Sequence, residues 1–247
     1  MRPRTLAALA VVVAGAAGCG TTAPLTFPAL LPGGGFAAGS PASVVATATS
    51  AAAGQGSVRI VAVSGSARQR VVSVYDVAGD HGKQTIAGDE GSGSISVVGG
   101  AAYQRADATY LQQSENFPAQ LATRYAGQWI SFRPGQPGFE VVSAGDTLSS
   151  ALAEVTPTGP LRTIGLGTAD GQPAVEVAGS NPAVAGPGTE VLYVALAAPH
   201  LPIKAVQRFP GTGGVTLNTE TFSNWGEAVS VTAPARAIPI TSVIAGG

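Results

Sequence analysis

Cys19 is the single cysteine among 247 residues, and it stands where a covalent reaction on the chain is expected. It follows Ala16-Ala17-Gly18. Small residues before a cysteine fit a bacterial lipobox, in which the thiolate is the nucleophile that takes up a diacylglyceryl group. Ala16 occupies the place where Leu is usual. The competing reading is an ordinary cleaved signal with an incidental cysteine, and the position of the only thiol favours acylation. A lone cysteine also leaves no internal disulfide and no cysteine zinc site.

Other chemistry finds little support. His81 and His200 sit in predicted turns, and neither has a second ligand at metal spacing. Asp89-Glu90 are adjacent carboxylates in a Gly-rich turn, where their side chains diverge. There is no Gly-x-Ser-x-Gly elbow and no phosphate loop. Only a Ser/His/Asp set assembled from distant segments would escape such a reading. The expectation is a protein that is not an enzyme and carries no cofactor or metal.

The elements that position Cys19 come first in the chain. Met1-Arg2-Pro3-Arg4 is basic, and Thr5 to Gly18 is apolar and uncharged. That is the layout of a secretory signal. The run is shorter than the roughly 20 residues a membrane span needs. The expected division is 1–18 as signal peptide, 19–39 as lipidated N-terminus and flexible tether, 40–233 as the folded domain, and 234–247 as a fraying tail. The expected place is the outer face of the cytoplasmic membrane, held by the lipid on Cys19.

Composition bounds the partners. Formal net charge is −1 and aromatics are 6%, with no basic stripe, so nucleic acid is not an expected partner. Charged residues are 11% of the chain, under half the usual quarter. Their place is taken by Gly, Ser, Thr and Pro, so charge excess does not enforce disorder.

Periodicity gives the architecture. Pro41 to Ala53 reads as an Ala-rich helix capped by Ser40. Five short strands follow, over 57–64, 70–77, 83–87, 95–98 and 101–105, as an antiparallel meander. Helical spacing occupies 108–114 and 118–125, with an extended piece at 128–132. A short helix over 146–154 is expected to be capped by Asp146. Strands return at 162–168 and 173–178, around the hairpin signal Asp170-Gly171. Further strands are expected at 190–196, 202–209, 212–222 and 228–232. The fold class read from this pattern is α+β, with a largely antiparallel sheet and helices between its two blocks of strands.

Several strands do not alternate. Ile60-Val61-Ala62-Val63 and Val191 to Leu196 put apolar residues on both faces. Either helices cover the second face, or the sheet curls around an apolar hollow. The 34 glycines favour bends in strands. Expected walls of such a hollow are Ile60, Ala62, Val72, Val74, Val97, Val175, Val177, Leu192 and Val194. A one-residue slip in phase would swap their faces.

The chain resembles the LppX/LprG family of envelope lipoproteins of acid-fast bacteria. The segment Phe222-Ser223-Asn224-Trp225-Gly226-Glu227-Ala228-Val229 is similar to that family's Trp-containing turn before its last strand. Gly127-Gln128-Trp129-Ile130, Thr189-Glu190-Val191-Leu192-Tyr193-Val194 and Leu201-Pro202-Ile203 support it. Gly226-Glu227-Ala228 departs from the family's more polar version. The resemblance implies a curved half-barrel of the lipoprotein-sorting kind with a few helices packed on its concave face, and in some members an apolar cavity between them holds the acyl chains of a lipid or glycolipid. A carrier without an energy source only equilibrates lipid between sites, so an envelope transporter or acceptor protein is the expected partner. A two-chain lipid exposes on the order of 30 methylenes at about 0.8 kcal/mol each, and a cavity removes that barrier to crossing water. The alternative is an envelope scaffold or interaction lipoprotein with a filled core and no ligand.

The lipid anchor makes a direct prediction. A Cys19→Ala chain is expected to move from the membrane fraction to the soluble fraction on cell fractionation, and retention in the membrane counts against acylation at Cys19.

Overall fold

The computed structural model describes residues 34–65, 70–180, 188–211 and 214–245. Cys19, the signal segment and most of the expected tether lie outside these residues. A short helix, α1 (Gly34–Ala37), precedes α2 (Pro41–Gln55). Ser40 caps α2 by accepting from the Ser43 amide, and Pro41 fills a position where no amide donor is needed. The helix runs through Gly54 and ends at Gly56, whose φ of 78° is left-handed.

Five strands follow as a meander: β1 (Ser57–Gly65), β2 (Arg70–Ala78), β3 (His81–Gly88), β4 (Gly91–Val98) and β5 (Ala101–Ala106). The β4–β5 turn is Gly99-Gly100, both with positive φ, as a two-residue hairpin demands. Next come α3 (Ala108–Gln113), α4 (Ala119–Tyr125), β6 (Ile130–Phe132), α5 (Phe139–Val142) and α6 (Leu148–Glu154). The second block is β7 (Thr158–Ala169), β8 (Gln172–Ser180), β9 (Thr189–Ala195), β10 (Pro202–Gly211) and β11 (Gly214–Ser223). Asp170-Gly171 turns β7 into β8, again with positive φ at both residues. The chain ends in β12 (Ile238–Pro239) and α7 (Ile240–Ala245).

All twelve strands join one sheet in the order β12-β6-β5-β4-β3-β2-β1-β11-β10-β9-β8-β7. Every pairing is antiparallel except β12 with β6. The sheet is open, with β7 and β12 at its edges. A twisted sheet of more than about ten strands curls, and the architecture is the α+β half-barrel expected from the sequence. The two blocks meet where β1 pairs with β11.

The helices lie on one face. A first core cluster joins Val44, Val45, Ala48 and Ala52 of α2 and Leu148, Ala151 and Leu152 of α6 to Ile60, Val77, Val175, Val177, Leu192 and Val194 of the sheet. A second joins Leu111, Ala122, Tyr125 and Val142 of the middle helices to Ile86, Ile95, Val97, Ile130 and Phe132. The opposite face carries half-buried Val61, Val63, Val72 and Val74. The apolar residues on both faces therefore have different causes: helices cover one set, and neighbouring Thr and Val side chains shield the other.

Three expectations require correction. Residues 228–232 form no strand; the chain leaves the sheet at the Asn224-Trp225 turn, where Asn224 has φ 54°. The expected tail instead supplies β12 and α7, and Ile240 and Val243 are buried in the second cluster. Asp146 does not cap α6. The cap is Thr147, one residue later, which trades hydrogen bonds with Ser150 as a capping box.

The face assignment is testable. Leu192 is 1% exposed, so Leu192→Ala is expected to cost about 2–5 kcal/mol. Val74, on the half-exposed face, is expected to cost under about 1 kcal/mol as Val74→Ala. Denaturant midpoints of the two variants check the difference, and equal losses would contradict the assigned faces.

Candidate functional site

Register decides which expected wall residues meet. Ile60, Val175, Val177, Leu192 and Val194 come together in the first cluster beneath α2 and α6. Ala62 is buried on the same face, opposite Ser73 and Glu220. Val97 is on that face too, but in the second cluster. Val72 and Val74 point the other way. Ile60 pairs with Tyr75 and Val58 with Val77, so the covered positions of β2 are 71, 73, 75 and 77. Valines stand on both faces of β2, with Val71 and Val77 covered beside Ser73 and Tyr75 and with Val72 and Val74 on the outer face, so pattern alone does not resolve the phase.

The five clustered residues form a continuous apolar floor, and their cover is light. On α2 it consists of two valines and two alanines, with no charged residue anywhere in the helix. Its N-terminal end is held by Phe36, whose ring stacks on His200 with centroids 3.8 Å apart and planes within 9°. His200 is presented by a turn in which its own φ is 66°, and its Nδ1 lies 3.2 Å from the Ala195 carbonyl. Trp225 and Phe222, from the segment that carried the family resemblance, close the neighbouring corner with ring centroids 6.0 Å apart.

The same face turns polar along one line. Moving along the strands, Leu192 gives way to Glu190, Ala205 to Gln207, Phe222 to Glu220 and Asn218, and Ile60 to Ser64. These residues are register neighbours. Ser64 Oγ donates to Asn218 Oδ1 at 3.2 Å. Asn218 Nδ2 donates to Gln207 Oε1 and to Glu220 Oε1, each at 2.9 Å. Gln207 Nε2 donates to the Glu154 carbonyl at 3.0 Å, which pins the last turn of α6 to the sheet.

Carboxyls accumulate on this line. Asp146 is fully buried, and neither of its oxygens has a hydrogen-bond partner. Burial, and then the nearby Glu154 charge, raise it to about 8. Burial raises Glu154 as well. Glu220 rises to about 7 through burial and then the Glu154 charge, against the opposing Asn218 hydrogen bond. Glu190 rises to about 8 through burial and then Glu220, opposed by Gln207. Burial first, then the charges of Glu220, Asp146 and Glu154, push the Tyr75 phenol up. None of these groups was singled out from sequence as part of a site. They lie on a turn, on α6 and on three strands far apart in the chain, and only the folded structure brings them together.

Among the described residues, no three His, Cys, Asp or Glu side chains come together in an arrangement able to hold a metal ion. His81 bridges toward Asp80 and the Val229 carbonyl, each at 3.3 Å. Asp89 accepts the Arg70 amide. Two surface pockets stand apart from the floor. One of about 310 Å3 is lined by Gly127 to Trp129 and Arg236 to Ile238. The other, of about 210 Å3, lies on the outer face by Arg59, Asp76 and Lys83. None of the nine expected wall residues lines either one. No described helix is long and apolar enough to cross a membrane.

No family model matches the chain. No curated protein matches it either. Among solved structures it overlays with LprF from Mycobacterium bovis at 16% identity and TM-score 0.48, over 80% of this chain and 100% of that one. An uncharacterized conserved protein from Thermus thermophilus overlays at 11% identity and TM-score 0.43, over 80% and 96%. A putative outer membrane lipoprotein-sorting protein domain from Vibrio parahaemolyticus overlays at 9% identity and TM-score 0.30, over 76% and 92%.

The turn carrying Asp146 depends on a glycine below it. A Cβ at Gly82 would collide with the Asp146 carbonyl and come within 2.9 Å of Val77 Cγ1. Gly82→Ala is expected to cost about 1–3 kcal/mol by displacing that turn, measured by denaturant unfolding. A neutral result would mean the turn is not seated on β3.

Proposed function

We propose that the chain is a lipid-anchored envelope lipoprotein that holds an acylated molecule on the apolar floor of the sheet, beneath α2. The supporting observation is the mismatch between that floor and its cover. Ile60, Val175, Val177, Leu192 and Val194 are contiguous, and α2 contributes only Val44, Val45, Ala48 and Ala52 as buried side chains. At about 2 kcal/mol per buried valine and 0.8 kcal/mol per methyl, α2 gains roughly 6 kcal/mol by covering it. An acyl chain of about 16 carbons gains roughly 12 kcal/mol from the same surface. That margin, less the cost of immobilising the chain, is what a ligand has available to compete with the helix.

Placement of the cover suits this role. On this reading a membrane tether from Cys19 leads through the short α1 into α2, so the element that moves is close to the donor membrane. No catalytic residue is needed, only an apolar surface and a removable lid. The carrier has no energy source of its own, so an envelope transporter or acceptor protein sets the direction of transfer.

A second reading has a specific observation in its favour. The floor is packed against α2 and α6, as an interaction or scaffold lipoprotein with a filled core requires. Native mass spectrometry of the chain from its own kind of host separates the two. The carrier reading expects co-purified lipid. Phe36→Ala is then expected to raise affinity for a fluorescent acyl probe about two- to tenfold, since an aromatic stack is worth about 0.5–1.5 kcal/mol. Protein free of lipid, with no probe uptake by either form, leaves the filled-core reading.

A further inference from the structure

The covered face of the sheet segregates charge by sign. Asp146, Glu154, Glu190 and Glu220 face inward. The basic residues of the described strands that flank them face outward. Arg59, Lys83, Lys204 and Arg208 all occupy alternate register positions to the inward Ile60, Gln84, Ala205 and Gln207. On the outer face charges are paired: Arg59 lies 3.0 Å from Asp76, and Lys83 3.7 Å from the same carboxylate.

The inward carboxyls bridge two bodies. Asp146 and Glu154 belong to α6 and the turn before it, and Glu220 belongs to β11. A Cβ built on Gly145 would lie 3.1 Å from Glu154 Oε2, so the Glu154 carboxyl folds back over the Gly145-Asp146 turn. Other polar groups facing the cluster are Tyr75 and Ser73 from β2, Glu190 from β9, Gln207 from β10 and Asn218 from β11. From α2, packed along α6, no charged group arrives.

We propose that Asp146, Glu154 and Glu220 form a pH-operated latch that holds α6 on the sheet while they are protonated and releases it as pH rises. The latch regulates the apolar site proposed above, and it rests on that reading only for what release would admit.

The sign follows from proton binding. With Asp146 near 8 and Glu220 near 7, each group holds a proton in the packed state that it gives up in the released state, where carboxyls titrate near 4. The packed state then binds more protons than the released one, so its advantage falls with rising pH. That advantage is fully present below about pH 4 and is lost as pH climbs through 7 to 8. Between those limits each such group changes the opening equilibrium by up to about tenfold per pH unit. Two carboxylates ionised side by side in a buried site add mutual repulsion in the same direction.

Amide hydrogen exchange on the full chain, reconstituted in phosphatidylcholine vesicles, tests this. After correction for intrinsic rates, peptides covering 147–156 are expected to open at least tenfold more at pH 8 than at pH 5. Peptides covering α4 are expected to change less than threefold. Asp146→Asn with Glu220→Gln is expected to hold the 147–156 peptides within threefold across that range, and Glu154→Gln alone to reduce the effect. A flat response in the unaltered chain overturns the latch without reference to any variant. So does an equal loss of protection in all helices, or a full pH response in the double variant. If α6 opens as expected while acyl-probe uptake stays absent, the latch stands and the ligand reading falls.

Discussion

Twelve strands in one open sheet present a long row of inward side chains, and something has to cover each of them. The chain has few pieces to do it with. Helices α3 to α6 are inserted between β5 and β7, α2 arrives from the N-terminal side, and the segment after Trp225 returns to close the far end. Cover is thus distributed in two patches, one over each block of strands. The outer face solves the same problem differently. Valines on β1 and β2 stand half-buried among threonines, and the ion pairs are placed there. Exposed β-branched residues shield one another on a pleated surface at little cost.

This distribution fixes what the site can be. Floor and cover come from distant parts of the sequence: β8 and β9 supply most of the floor, and α2 packs over it. The two helices over the floor are held by unlike forces. For α2 the hold is apolar contact by small side chains plus one aromatic stack. For α6 it is Leu148, Ala151 and Leu152 together with a polar pin, the Gln207 amide on the Glu154 carbonyl. Apolar contact varies little with pH, whereas the groups around the polar pin titrate. On the proposed reading, these two covers of different sensitivity give one floor two routes of exposure.

Much of the architecture was legible because hairpins write themselves locally. Gly99-Gly100 and Asp170-Gly171 supply the left-handed pairs that two-residue turns need, and Ser40-Pro41 announces a helix start. Legibility failed where the deciding contact was distant. Nothing in Val71 to Val77 tells which parity faces in; that is set by β1, through Ile60 opposite Tyr75. Asp146 has the right residue type for a cap, but the Thr147–Ser150 exchange one residue on takes the role. Residues 234–247 read as a tail because Pro and Ala carry no period, yet Ile240 and Val243 find a ready-made hydrophobic recess. The candidate site divided the same way. Five of the nine expected wall residues share one packed cluster, whereas the carboxyl line was invisible, since its members lie on four elements up to 74 positions apart and converge only in the folded chain.

The carboxyl line is the part of the core that stability does not explain. Holding a proton on Asp146 at pH 7 costs on the order of 4 kcal/mol relative to a free carboxyl near 4, a large share of the 5–15 kcal/mol by which a domain is stable. Apolar residues of similar size at buried positions 146, 190 and 220 would pack without that penalty, as replacing buried charges generally does. Core positions one step along the same strands, Leu192 and Phe222, already follow that rule. A single buried acid is readily absorbed by a fold. Acids contributed by a turn, a helix and two strands to one seam, all inward and with the neighbouring bases turned outward, put the weakness where α6 meets the sheet. An interface weakened where α6 meets the sheet, and solid beneath it, is what the proposed latch requires.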